Sequence, residues 1–151
     1  MRPAAQKWIV VCLLLTLVGG AGYVIYLRNI VNPKVVTELQ TDPSGERARK
    51  VMLLTFPDGK VLPINYLREN PYVYAGADFS WWKAFADDGA QVTVLIQGET
   101  LRGTARVVLN QPDFKATIFA RLRPTVPKWL PDWLNGKLII ITIDDAGTAL
   151  E

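Results

Sequence analysis

Chemistry in this chain is bounded first by what it lacks: none of its 151 residues is a histidine, and Cys12 is its single cysteine. A Ser-His-Asp triad, a Cys-His dyad, a histidine zinc site and an imidazole general base are therefore excluded. An internal disulfide and a cysteine-based metal cluster are excluded as well. What remains is a carboxylate, Lys or Tyr enzyme, a protein that borrows chemistry from an organic cofactor, or a binding module with no chemistry. The most suggestive spacing is Ser44 and Gly45 followed by Arg47, Arg49 and Lys50. A hydroxyl, an approachable backbone amide and nearby cations suit a phosphate group; the same residues also read as an ordinary turn leading into a solvated strand edge. Trp81 and Trp82 are adjacent on a segment with helical spacing and so face different directions, one toward a core and the other free to stack on a planar ring. Trp129 and Trp133, interrupted by Pro127 and Pro131, either form a lid over a hydrophobic ligand or dip into a bilayer surface, with Lys128 and Lys137 flanking them. Tyr66, Tyr72 and Tyr74 read as strand packing. Asp144 and Asp145, neighbours on a strand end, point to opposite faces and read as solubilising, not as metal ligands.

The elements that must hold these residues have mostly the period of strands. Stretches 35–39, 50–56, 61–66, 72–75, 90–96, 100–109 and 137–144 are apolar or alternating, with β-branched residues prominent. Pro57, Asp58, Gly59 and Lys60 between two of them are a strong hairpin signal. Residues 79–86 have helical spacing, with Asp78 or Ser80 as N-cap and Asp87, Asp88 and Gly89 as the stop. Pro112 opens a second helix over 112–122, with Phe114, Ile118, Phe119 and Leu122 on one face. About six strands and two or three short helices, with turns every eight to twelve residues, predict a small β-barrel closed by helices.

Ahead of that domain, Trp8 opens and Leu27 closes a run of twenty uncharged residues between Lys7 and Arg28. A hydrocarbon core of about 30 Å needs about 20 helical residues, and Trp8, Tyr23 and Tyr26 sit where amphipathic rings prefer to be. Tyr23, Val24 and Ile25 continue the apolar run past the small residues that would imitate a cleavage site, so the segment reads as an uncleaved single-pass anchor in the lipid bilayer. Its flanking charges balance, with Arg2 and Lys7 on one side and Arg28, Lys34 and Arg47 on the other, which leaves the side of the soluble domain open. Gly19, Gly20 and Gly22 permit close approach of two such helices, a weak homodimer signal. The organisation expected is a tail and anchor over 1–29 and one barrel domain over 30–151. Beyond residue 27 fifteen basic residues face fourteen acidic ones, scattered singly and without a basic stripe, which argues against a nucleic-acid partner.

Several segments carry a family resemblance: Ser44 and Gly45, the apolar strand ending at Phe56, Asp58-Gly59-Lys60, Tyr72-Val73-Tyr74-Ala75-Gly76, the Trp81-Trp82 pair, and 92–98 followed by Ala105. Over roughly residues 35–145 the chain resembles the deazaflavin-dependent nitroreductase family, part of the flavin-binding split β-barrel group that includes pyridoxamine-phosphate oxidase-like proteins. The resemblance implies a mainly β, α+β fold: a split β-barrel of about six strands, here preceded by one transmembrane helix. It implies a flavin or deazaflavin cofactor, no metal, and contacts to that cofactor from Ser44, Gly45, Arg47, Arg49, Lys50, Ala75, Gly76, Trp81, Trp82, Trp129 and Trp133. The chain departs from the pattern in two places. Thr41-Asp42-Pro43 stands where the family has Gly-Arg-Lys, and the loop from Ala75 to Trp81 is shorter, with Asp78 in place of a basic residue. The expected function is a membrane-anchored oxidoreductase, nitroreductase- or quinone reductase-like, transferring hydride to a hydrophobic acceptor. The alternative is a cofactor-less, membrane-tethered barrel that serves as a binding or assembly module.

Overall fold

The computed structural model describes residues 3–26, 32–127 and 129–144; Arg2, Leu27, Arg28, Lys128 and Asp145, named above, lie outside them. The chain divides into two compact units, Met1–Thr37 and Glu38–Glu151. The first is built on helix α1, Pro3–Tyr26. Within it Lys7–Tyr26 is long and apolar enough to cross a membrane, and its side chains, Cys12 among them, are exposed.

Residues 35–39, expected as a strand, are instead part of helix α2, Asn32–Thr41. Pro33 in the first turn is pre-set for a helix, and the Thr37 hydroxyl donates to the Pro33 carbonyl at 3.1 Å. The helix penalty of Val35, Val36 and Thr37 is only a few tenths of a kcal/mol each, less than is gained by burying Leu39.

The second unit is a closed antiparallel barrel of β1 (Val51–Thr55), β2 (Val61–Glu69), β3 (Tyr72–Ala77), β4 (Ala90–Ile96), β5 (Glu99–Val108) and β6 (Lys137–Ile143), in the order β1-β2-β3-β6-β5-β4. The expected hairpin after β1 is present: the Phe56 amide donates to the Lys60 carbonyl at 2.8 Å and the Lys60 amide to Asp58 Oδ1 at 3.0 Å. Gly59 there adopts a φ of 83°, open to a residue without a β-carbon. The longest ladders join β4 to β5, from Ala90↔Ala105 to Ile96↔Glu99, and β5 and β3 to β6. Closure between β1 and β4 rests on Leu53↔Leu95, Leu54↔Val94 and Thr55↔Thr93.

Alternation sorts the side chains into two cores. Met52, Leu54, Val73, Ala75, Val92, Val94, Ile139 and Ile141 fill the barrel. The segment 79–86, expected as a helix, is a short 3₁₀ helix, Ser80–Phe85. It starts at Phe79 without a side-chain cap, so neither Asp78 nor Ser80 caps it. Six residues without a cap hold their shape through docking, and Phe85 stacks on Phe56 inside the barrel with ring centroids 5.4 Å apart. On the outer face of β3 and β6, helix α3 (Pro112–Leu122) lays Ile118, Phe119 and Leu122 on Tyr74 and Leu138, as its apolar spacing predicts.

One charge lies within this outer contact. Lys115 is only 5% exposed. Its Nζ reaches Asp132 Oδ1 at 2.5 Å and the Asp132 carbonyl at 3.3 Å, with the Phe119 ring 5.4 Å away. This clamp ties the Pro- and Trp-rich stretch 124–135 to α3. Asp132→Ala should cost about 1–3 kcal/mol, because it strands a buried ammonium. Lys115→Met keeps the stem volume and leaves a carboxylate that is mostly in water, so the loss in chemical denaturation should be below about 1 kcal/mol. Equal losses would mean that the clamp carries no buried-charge component.

Candidate functional site

The turns over 42–50 place the sequence-derived phosphate candidates apart from one another. Gly45 donates its amide to the Asp42 carbonyl at 3.2 Å. A β-carbon at Gly45 would lie 2.8 Å from Asp42 Cγ, so that carboxylate is folded over the glycine. Ser44 is exposed. Arg47 turns away to Glu38 through a 2.8 Å Nε contact. Arg49 and Lys50 go elsewhere: they line a groove of about 710 Å³ with Asn65, Tyr66, Asp78, Arg121, Leu122, Arg123, Pro124, Thr125 and Val126.

Two segments supply the groove's cations. Arg49 and Lys50 come from the approach to β1, and Arg121 and Arg123 from the end of α3, where a helix's negative pole favours positive charge. Arg123 Nη1 and Nη2 bind the two oxygens of Asp78 at 2.5 and 3.0 Å, and its guanidinium lies 5.0 Å from the Phe119 ring centre. It crosses directly over Gly76, where a β-carbon would come within 2.6 Å of Arg123 Cζ. Asp78 thus stands where the resembled pattern has a basic residue, and it fixes a cation delivered from α3 instead. Lys50 pairs with Glu46 at 2.8 Å, and Arg121 pairs with Glu69. The Lys50 ammonium, as hydrogen-bond donor and as charge, holds the Glu46 carboxyl below its usual range. Among the described residues Arg49 has no ion-pair partner. Four cations line the groove against one lining carboxylate, but Lys50, Arg121 and Arg123 are ion-paired, so the positive excess of this concavity rests on Arg49.

Tyr66 anchors its floor. The phenol donates to the Ala48 carbonyl at 3.1 Å and accepts from Gln97 Nε2 at 3.3 Å, tying the 42–50 segment to the barrel. Burial pushes the phenol's pKa above 10.0, against the opposing pull of Gln97 and Arg68. Because the neutral phenol is the form the fold favours, its contribution is intact below pH 10 and is lost as pH rises through the elevated folded value. Tyr66→Phe should cost about 0.5–1.5 kcal/mol at neutral pH. It should also flatten the alkaline fall in stability above pH 10, followed by denaturation at stepped pH; an unchanged alkaline slope would place the titration elsewhere.

The other candidates are dispersed. Ala75 is fully buried inside the barrel, two positions from the interior Val73 and Ala77, while Gly76 faces out beneath Arg123. Trp81 and Trp82 both pack against the interior core, Trp81 edge-on to Phe56 at 5.8 Å and to Phe85 at 6.2 Å. Trp129 and Trp133 are 78% and 76% exposed. The structure therefore brings Arg49 and Lys50 to one groove, with Gly76 lying beneath the guanidinium of Arg123. It adds Arg121, Arg123, Tyr66 and Asp78, which the sequence reading did not assign to a site. The signal for the two arginines was available, since Arg121 and Arg123 flank the last residue of α3 immediately before Pro124. Among the described residues no cluster of three or more metal-ligating side chains occurs.

The sequence matches no protein-family model and no curated protein. Solved structures do match. A candidate pyridoxamine 5'-phosphate oxidase from Listeria innocua superimposes with a TM-score of 0.52 at 15% identity, over 74% of this chain and 92% of that one. The shared architecture is the split β-barrel. Similarity extends, with a TM-score of 0.41 in each case, to two more proteins. One is a candidate 5-nitroimidazole antibiotic resistance protein from Bacteroides thetaiotaomicron, 14% identical over 70% of this chain and 79% of that one. The other is an FAD-binding protein from Mesorhizobium loti, 16% identical over 72% and 88%.

Proposed function

We propose that this chain is a membrane-anchored split barrel that binds a phosphorylated flavin or deazaflavin and serves a hydrophobic acceptor such as a quinone or nitro compound. The observation that carries the reading is the cationic groove of Arg49, Lys50, Arg121 and Arg123 on the barrel wall. The groove fits the phosphate end of such a group: guanidinium forks match phosphate oxygens, and the missing β-carbon of Gly76 lets the Arg123 guanidinium lie close against the barrel wall. Leu122, Pro124 and Val126 offer apolar wall beside those charges. A bound flavin-type ring supplies two-electron hydride chemistry, which suits a chain with no histidine and one cysteine outside the barrel. The protein's part is to hold the phosphate with its arginines and to position the ring beside an apolar surface. Anchoring by Lys7–Tyr26 would tether the domain to the membrane in which a lipid-soluble acceptor dissolves.

A second reading, a cofactor-less tethered module, draws support from the ion pairs already made by Lys50, Arg121 and Arg123. Each must be loosened or shared before a phosphate gains the full charge. The two readings separate in one titration: full-length protein in detergent against riboflavin 5'-phosphate, FAD and a deazaflavin, followed by cofactor fluorescence. Saturable binding supports the first. No binding of any of them at high micromolar concentration supports the second.

A further inference from the structure

We infer that the loop carrying Trp129 and Trp133 seats in the bilayer interface and gives the barrel a second membrane contact; this rests on the anchoring part of the proposed function and is independent of its cofactor. The two indoles project into water from a loop that is held in shape. Leu130 donates its amide to the Pro127 carbonyl at 3.0 Å, Leu134 to Pro131 at 2.9 Å and Asn135 to Asp132 at 3.2 Å, while Lys115 grips Asp132 from beneath. A loop clamped through its middle with both tryptophans facing out spends its fixed geometry on presenting them. Indole, with an apolar body and one N–H donor, is the side chain best suited to the headgroup level of a bilayer.

The chemistry around the loop matches the same partner. At Gly136 a β-carbon would lie 2.7 Å from the Ala77 carbonyl and 3.1 Å from Asp78 Oδ1, so the end of the loop runs alongside residues 77–78. Phe79, the next residue, is itself largely exposed. Asp78 and Val126 belong to the cationic groove, so exposed aromatics adjoin Arg123 and its neighbouring cations. Aromatic residues beside basic ones are the composition that an anionic lipid surface selects.

The test uses the full chain in phosphatidylcholine–phosphatidylglycerol vesicles, with and without acyl-brominated lipid as a quencher. Subtracting the emission of Trp129→Phe/Trp133→Phe from that of the unaltered protein isolates these two indoles and leaves Trp8, Trp81 and Trp82 as the remainder. The expected result is that bromine cuts the difference emission to half or less. A difference emission untouched by bromine, while the remainder containing Trp8 is quenched, overturns the inference and leaves the anchor standing. If neither is quenched, the anchoring reading fails and the inference with it. If the indoles become shielded only as protein concentration rises, without bromine quenching, a second copy covers them and the inference is overturned.

Discussion

Phe85→Ala lowers the stability of the barrel by about 3–5 kcal/mol, the range for removing a large ring from a close-packed site. Phe85 is 1% exposed. Its ring lies nearly parallel to Phe56, at 18°, and receives Trp81 edge-on at 86°. Phe56 and Trp81 meet edge-on as well, so the three rings form one mutually supporting cluster. Removing the Phe85 ring leaves a void that backbone atoms of a closed barrel cannot collapse to fill. It also loosens the 3₁₀ helix, which has no side-chain cap and is otherwise held by the packing of Trp81 and Trp82. Phe85→Leu should recover most of the loss, and Phe79→Ser, on the exposed side of the same segment, should change stability by less than about 0.5 kcal/mol. Thermal and denaturant unfolding in the same detergent measures all three. A Phe85→Ala loss no larger than that of Phe79→Ser would mean that the 3₁₀ segment does not plug the barrel.

Arg49→Glu weakens binding of riboflavin 5'-phosphate by about ten- to a hundredfold, the affinity equivalent of one charge-assisted hydrogen bond worth about 1.5–3 kcal/mol. Arg49 is the cation chosen because among the described residues its guanidinium makes no ion pair, whereas Arg123 is held by both oxygens of Asp78. Introducing a carboxylate beside Lys50 and Arg123 also supplies them with an internal counter-ion that competes with the ligand's phosphate. Riboflavin without phosphate serves as the control and should bind the variant and the unaltered protein alike. Raising the salt should narrow the gap between the two proteins, because the groove is open to solvent. If the variant loses riboflavin as readily as its phosphate, Arg49 acts on the ring or on the fold, and the phosphate assignment is wrong.

Much of the barrel could be read before any coordinates. The 57–60 turn carries proline and glycine where a hairpin needs them, 137–144 has a composition that only burial tolerates, and α3 repeats its apolar residues at helical spacing. These signals are local, each contained in one element. The segment 35–39 misled because Val35, Val36 and Thr37 favour strands only weakly, and Pro33 together with the burial of Leu39 outweighs them. The groove was half legible. Arg49 and Lys50 stood out for their proximity to Ser44 and Gly45, yet the cations that join them come from α3, some seventy residues later. No periodicity links the approach to β1 with the last turn of α3; closure of the barrel and the Arg123–Asp78 fork bring them together. Lys115 was invisible for a similar reason. A lysine between Phe114 and Ala116 reads as a solvated position until a carboxylate from a distant loop is placed on its ammonium.

The closure between β1 and β4 has a consequence for motion. Each of the other junctions in the barrel is sewn by a longer ladder, while this one holds only through residues 53–55 and 93–95. Lateral parting there breaks the fewest backbone hydrogen bonds, so it is the lowest-energy way for the ring of strands to open. Native-state amide exchange should find it first, with the amides that bridge Leu53–Thr55 to Thr93–Leu95 exchanging well before those joining β5 to β6. The β1–β2 hairpin then behaves as a hinged flap, carrying Lys50 and Tyr66 with it, and the shape of the cationic groove becomes coupled to the breathing of that seam.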